Sequence, residues 1–474
     1  MIDTIVVNVA PGETRVALLA DGRTVEVFHH RAGSESIVGG LYLGRVTRVA
    51  PGLQAAFVDI GAERPGFLNA DDARTDADAP AAPIGEYVHE GEAVVVQVTR
   101  DAVGDKGARL TMRPTLVGRH LVYAPGRGDI DVSRRIDDEA ERKRLEALVG
   151  GLAQGDEGFV VRTAAAGVAA EQIARDADEL RALWGEVETQ RRGAAAPARL
   201  HGDDDPLARA LRDNAGGGLR RVVIDSATAL ADAKRYCARF APDLAARIEA
   251  YREAEPIFER FAVEAALDEA LEPRVALSSG GAVVIEETEA LTAIDVDTGG
   301  AGGGGGDAQS NLLRANLEAA AEIARQLRLR AIGGLIVIDF ARMTRVAHQR
   351  QLFEAFRDAL APDRAVNPPA GFTRLGLVEM TRRRRRRALA EVLCEPRDGR
   401  RRKTALSVAL DIARAVVCEA AAGPRAVIAA PEVAAALSSP ETGALAALAE
   451  TLGRPLEVRA DAARAREAYD IVGE

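Results

Sequence analysis

Between Leu41 and Met112 apolar and polar positions alternate in short runs, broken by Pro-Gly, Gly-Ala and Asp-Ala-Pro turns. The runs LYLGRVTRVA, LQAAFVDIG, RPGFLNA, EAVVVQVTR and GARLTM predict five short strands, a number and spacing that close into a small barrel. The Ala-, Asp- and Pro-rich stretch 71–83 reads as a solvated loop between barrel strands, with a domain linker as the alternative. From about residue 119 to 207 the pattern changes to turn signals (YAPGRGDIDVSRRI), two helical segments and one apolar strand, GFVVRTA, as in a compact mixed α/β unit. The polar, proline-bearing segment RRGAAAPARLHGDDDP, which includes the acidic Asp203 to Asp205, holds the next boundary.

Further on, VVIEETEALTAIDVDTG predicts a hairpin that turns at Thr288 and Glu289 and ends in Asp297. A helix is predicted over about residues 311–330, stopping at Gly333, and LIVIDF then reads as a strand buried on both faces that ends in Asp339. The last 69 residues, 406–474, carry a helix, a strand (RAVIAAP), a short helix and a second strand (PLEVRA), a small α/β appendage. The glycine run 299–307 lacks the Lys-Ser/Thr ending of a phosphate-binding loop and reads as a flexible loop.

Length and composition enlarge this picture. At 474 residues and 47% hydrophobic content the chain fills several cores, so the fold class is multidomain α/β (α+β). No basic-then-apolar leader opens it and no run of about 18 uncharged apolar residues follows, so a cytoplasmic protein without a membrane span is expected. Cys237, Cys394 and Cys418 are far apart and form no CxxC pair, which excludes a disulfide framework. The net charge of -10 argues against a polyanion binder, but Arg382 to Arg387 and Arg400 to Arg402 with Lys403 concentrate positive charge. The first run is expected to form a helix with arginines all round, some of them facing RNA.

Candidate chemistry follows from strand periodicity. Asp295 and Asp297 fall on one face of their strand, with Thr292, Ile294 and Val296 on the other. If the strand ending in Asp339 lies alongside, the carboxylates gather into an oxygen-rich site suited to Mg²⁺ and phosphodiester hydrolysis. Strand-end aspartates that cap turns are the bland alternative, although a buried Asp339 needs a cation or an arginine nearby. In the barrel, Phe57 and Phe67 lie on neighbouring strands, with Tyr42, Arg45, Lys106 and Arg109 placed to share their face. They form either a base-stacking platform with phosphate-tracking cations or ordinary core. Arg162 and Thr163 close an apolar strand, where an Arg-Thr pair can bind phosphate.

The ordered set GRVTRVAPGLQAAFVDIGAERPGFL, KGARLTM, VSRRI, VVRTA, LSSGGAVVIEETEALTAIDVDTG, ANLEAAAEIARQLRLRAIGGLIVIDFARM and FTRLGLVEMTR resembles the ribonuclease E/G family over nearly the whole chain. The resemblance implies a ribonuclease H-like part (1–35 and 208–271) split around an inserted OB-fold barrel (36–118) and a 5′-sensor part (119–207). A DNase-I-like catalytic part (272–391), a degenerate zinc-link (392–405) and a small C-terminal domain (406–474) follow. It also implies an endoribonuclease of single-stranded A/U-rich RNA in rRNA processing and mRNA decay, acting as a homo-oligomer such as a dimer.

By the same resemblance, Asp295 and Asp339 hold Mg²⁺, or Mn²⁺ in its place, and Asp297 matches the third polar position of the catalytic site. Arg162, Thr163 and Arg374 match the 5′-monophosphate sensor; Phe57 and Phe67, with Lys106 and Arg109, match the RNA-binding barrel surface. Three departures stand out. Cys394 lacks the second cysteine of the family's intersubunit zinc site, so no structural zinc is expected. The glycine run replaces polar elements beside the acidic strands, and Arg342 stands where the family has an acid. These two departures define the alternative: an RNA-binding relative with weakened or lost cleavage.

Overall fold

The computed structural model describes residues 1–474 except 33–35, 76–79, 103–105, 203–204, 215, 217, 300–307, 398–399, 421–422 and 474. The glycine run apart from Gly299, the middle of the 71–83 stretch, and Asp203 and Asp204 therefore lie outside the described residues. The chain forms two compact units, one of residues 1–33, 218–227 and 249–474 and one of residues 34–217 and 228–248. The first is discontinuous because Thr4–Ala10 pairs in parallel with the distant Arg221–Ile224, within a five-stranded sheet that also holds Glu13–Ala20 and Arg23–Arg31.

In the second unit the five predicted barrel strands form. Leu41–Ala50, Ala55–Asp59, Gly66–Asn69, Arg109–Thr111 and Ala93–Arg100 pair in that order, and the last pairs back to the first. The result is a closed five-stranded barrel, consistent with the expected OB fold. Inward residues such as Val46, Val58, Leu68, Val96 and Leu110 fill it, and the alternation that predicted strands is the alternation of inside and outside. Tyr42 is among the buried core residues, so it does not share the outer face expected of it, because it sits at an inward position of its strand. Two short helical turns, Ala70–Ala73 and Ile84–Tyr87, flank the stretch read as a loop. The segment read as a boundary contains a strand, Ala198–His201, that adds to the barrel sheet beside Leu41–Leu43. The same unit holds a four-stranded sheet packed against helices Glu139–Leu152 and Ala170–Gly193.

A six-stranded sheet dominates the first unit. Its order is Arg274–Ala276, Ala282–Glu287, Leu291–Asp297, Gly334–Asp339, Val378–Arg382 and Val366–Asn367. One face, with Ile285, Ile294, Val296, Ile336 and Ile338, packs on helices Ala308–Leu329 and Val346–Leu360. The other face is open. LIVIDF is therefore buried on one side only: Ile336 and Ile338 point inward, while Leu335 is 56% exposed. Continuous hydrophobicity misled here because Leu335 and Val337 occupy the open face. The preceding helix ends at Leu329, before Gly333, and Ala331 makes the turn with a left-handed φ of 54°.

The arginine run is not a helix. Arg382 ends a strand, and residues 383–388 are irregular, with a bend at Arg386, until helix Leu389–Leu393 begins. Arg382 is buried and paired with Asp363 at 2.7 Å, and Arg386 lies over the Phe28 ring at 4.3 Å, so both serve the interior. Arg383, Arg384, Arg385 and Arg387 remain at the surface. The C-terminal appendage packs helices Ala405–Cys418, Pro431–Ser438 and Ala444–Leu452 around a three-stranded sheet whose last strand, Tyr469–Val472, the sequence pattern did not announce.

Candidate active site

The parallel pairing of Leu291–Asp297 with Gly334–Asp339 places Asp295 directly opposite Asp339. Adjacent strands lie about 4.8 Å apart, so the two carboxylates are immediate neighbours on the open face. Both are exposed, and among the described residues neither has a hydrogen bond or ion pair. A shallow cavity of about 320 Å³ opens there, lined by Val284, Glu286, Ala293, Ile294, Asp295, Val337 and Asp339. The expectation that Asp339 is buried and so has a cation or an arginine nearby is corrected: on the open face water solvates it, and no desolvation cost has to be offset.

Asp297 shares the face of Asp295 but not its freedom. Its carboxylate accepts from Arg274 at 2.8 Å and from the Gly299 N–H at 2.9 Å. The Arg274 guanidinium, with that N–H, holds the carboxyl below its usual range. Asp297 is absent from the cavity lining.

The strand ends are braced by residues that sequence reasoning passed over. Asn316 is wholly buried, and its side chain donates to the Ala341 carbonyl at 2.8 Å and accepts from the Ala341 N–H at 3.0 Å. It thereby fixes the chain two residues after Asp339. Glu318, two residues along, accepts from the backbone N–H groups of Ser278 and Ser279. The available signal was Asn316 falling in the apolar stripe of its helix with Ala319, Ala320, Ile323 and Leu327, where an amide must find backbone partners. Arg342 is exposed just beyond this brace. Glu286 is a further acid at the cavity, two residues along from the partner of Asp295.

A divalent cation fits this donor set. Magnesium is commonly held by one or two carboxylates, with water and substrate phosphate completing its shell. Among the described residues no group of three or more His, Cys, Asp or Glu is placed to hold a metal ion, so an all-protein cage is not what this face offers.

On the barrel, Phe57 and Phe67 are directly paired and half-buried on the outer face, with ring centroids 6.0 Å apart and planes at 77°. Neither belongs to the barrel core. Lys106 is exposed. Arg109, opposite Phe67, donates to Asp72 at 3.0 Å, and Arg45 donates to the Gly91 carbonyl at 2.9 Å. Part of the cationic surface expected around the phenylalanines is thus committed within the protein.

Arg162 and Thr163 follow the strand Gly158–Val161. Arg162 donates to the Gly118 carbonyl and to Asp213 at 2.6 Å, while Thr163 Oγ1 is 3.0 Å from Ser133 Oγ. Burial pushes the Asp213 carboxyl up, but Arg212 and Arg162 outweigh it and hold it below the ordinary range. Arg374 is exposed on a turn of the first unit. Cys394 is buried beside Leu389 and Leu393 at the start of the hairpin Cys394–Arg397 and Arg400–Lys403. Among the described residues no helix is long and apolar enough to cross a membrane.

Comparison with known proteins bears on all of these features together. The model of the ribonuclease E/G family matches residues 115–385. Ribonuclease G of Salmonella typhimurium (strain SL1344) is 38% identical over 484 residues, covering 99% of each chain. Ribonuclease G of Escherichia coli K12 matches with the same identity and coverage. Ribonuclease E of Nostoc sp. is 43% identical over 361 residues, 75% of this chain and 52% of that one. Family match and full-length relatives agree: the chain belongs to the ribonuclease E/G family.

Proposed function

We propose that this protein is an endoribonuclease of RNA processing and decay that cuts single-stranded, A/U-rich RNA at the open sheet face. One observation carries the reading: the register that sets Asp295 against Asp339, both exposed and unpaired among the described residues, in a chain related over 99% of its length to proteins named Ribonuclease G. Uncommitted carboxylates side by side repel one another, and an arrangement that leaves them so is one that a cation completes.

Asp295 and Asp339 would hold Mg²⁺, or Mn²⁺ in its place. When bound there, the ion supplies Lewis-acid stabilisation of the charge that builds on the reacting phosphate. The protein's own part is positional. Asn316 fixes the chain after Asp339, the parallel register fixes the two carboxylates, and Asp297 with Arg274 shapes the edge of the site. Hydrolysis in this manner leaves a 5′-phosphate and a 3′-hydroxyl. Within the reading, the barrel (36–118) binds the strand through Phe57, Phe67 and Lys106, and Arg162, Thr163 and Arg374 sense a 5′-monophosphate. Residues 1–35 and 208–271 form the ribonuclease H-like part and residues 272–391 the DNase-I-like catalytic part, followed by the zinc-less link and the small C-terminal domain. Arg274 on Asp297, and Arg342 beside the site, favour a second reading in which RNA is bound but cut slowly or not at all.

The test is to incubate the protein with matched A/U-rich RNAs bearing a 5′-monophosphate or a 5′-hydroxyl, with Mg²⁺ or EDTA, and to analyse the product ends. Magnesium-dependent internal cuts with 5′-phosphate products, faster on the monophosphorylated RNA, are expected. Binding without cleavage would select the second reading, and equal rates on both RNAs would remove the sensor.

A further inference from the structure

The barrel surface carries a residue that its sequence pattern hides. In a regular strand Arg48 would share the face of Val46, which is buried in the barrel interior. The pairing of Leu41–Ala50 with Ala55–Asp59 slips between Val46 and Arg48: Val46 faces Val58, Arg48 faces Phe57, and Thr47 is the extra residue. Such a bulge re-aims the side chains that follow it. Thr47 secures it by donating from its hydroxyl to the Phe57 carbonyl at 3.1 Å. Arg48 is thereby turned outward, and its guanidinium lies 4.4 Å from the centre of the Phe57 ring, while Phe67 meets that ring edge-on.

The charge of Arg48 is also uncommitted. Among the described residues its side chain makes no hydrogen bond or ion pair, whereas Arg109 is held by Asp72 and Arg45 by the Gly91 carbonyl. A guanidinium on a half-buried phenyl ring is a weaker partner for that ring than a nucleobase, because a base covers more of its face. Its five donors remain available for a phosphate.

We propose that Arg48 completes the barrel's nucleic-acid platform: it moves off Phe57 to close over a base stacked there, pairing with the neighbouring phosphate of a single strand. The proposal rests on the reading that the barrel binds single-stranded RNA, and it adds a residue that reads the base plane and the backbone at one position. The planar fork of arginine is required, since lysine keeps the charge but cannot stack.

The test measures binding of the full chain to a fluorescein-labelled, A/U-rich 12-mer RNA in EDTA, by anisotropy across a salt series. Wild type is compared with Arg48→Gln, Arg48→Lys and the Phe57→Ala/Phe67→Ala double variant, each checked for fold by circular dichroism. Arg48→Gln is expected to bind about tenfold more weakly, and its plot of log affinity against log salt should be shallower by about 0.7. Arg48→Lys should keep the slope yet bind about threefold more weakly than wild type. Arg48→Lys matching wild type in affinity would overturn the stacking role. Both Arg48 variants matching wild type while the double variant weakens would overturn the proposal and leave the barrel reading standing. A double variant that binds like wild type would overturn the barrel reading and this proposal with it.

Discussion

The two faces of the six-stranded sheet treat charge in opposite ways. On the covered face Arg382 points toward the interior, where its guanidinium bonds Asp363 at 2.7 Å and the Ile332 carbonyl, with side chains only 9% and 6% exposed. On the open face, Asp339 on the adjacent strand and Asp295 on the one beyond stand opposite each other with no partner among the described residues. A buried ion must be matched by protein groups because nothing else solvates it. An exposed carboxylate is solvated by water and stays available to a ligand. On this sheet the buried charge is matched by protein groups, whereas on the open face Asp297 is paired by Arg274 and Asp295 and Asp339 stay available to a ligand.

The largest effects are expected from neutralising one member of each pair. Asp295→Asn should lower single-turnover cleavage about a thousandfold while leaving the melting temperature unchanged, because it removes a ligand but no native contact. Asp363→Asn should do the reverse. It leaves Arg382 buried and under-compensated, and denaturant unfolding should report a loss of about 3–5 kcal/mol, with cleavage per folded molecule retained.

A second buried cluster sharpens the comparison through pH. Burial pushes the Glu13 carboxyl up, yet His29, Arg414 and Arg31 outweigh it and hold it well below 4.5. Burial pushes His29 below 6.5 against the pull of Glu13, so its imidazole stays neutral and donates from Nδ1 to Glu13 at 3.1 Å. Both depressed values act in the same direction. Below pH 6.5 the unfolded chain protonates His29 while the folded chain does not, and below 4.5 the same becomes true of Glu13. Stability should hold above pH 6.5 and fall in two stages on acidification, by up to about 1.4 kcal/mol per pH unit for each group in its window. His29→Gln should remove the first stage in a pH series of thermal melts.

The smallest effect is expected at Asp297, which lies on the open face but is occupied. Asp297→Asn should change cleavage by no more than about tenfold, since an exposed pair with Arg274 is screened by solvent. A loss as large as that of Asp295→Asn, measured under the same conditions, would move Asp297 into the metal site.

Much of this was legible in the chain. The barrel strands, the hairpin and the alternation that puts Asp295 and Asp297 on one face all follow from period-two patterns, and the structure keeps them. What escaped depends on contacts or local slips that periodicity does not encode. LIVIDF looked doubly buried because Leu335 is apolar, although it lies on the open face and is more than half exposed. The run from Arg382 to Arg387 looked like one solvated helix, but Asp363 and Phe28, remote in sequence, draw two of its arginines inward. Arg48 was hidden by a one-residue bulge, and Asn316 by its place in an apolar stripe. At the candidate site, the pattern identified the acids but not which of them the protein has already paired.

The most direct test of the central claim is a magnesium titration of single-turnover RNA cleavage by wild type and the Asp295→Asn/Asp339→Asn variant, with RNA binding measured on the same samples. Saturable, magnesium-dependent cleavage is expected from wild type and none from a variant that still binds RNA. Cleavage by the variant at the wild-type rate and magnesium dependence would contradict it.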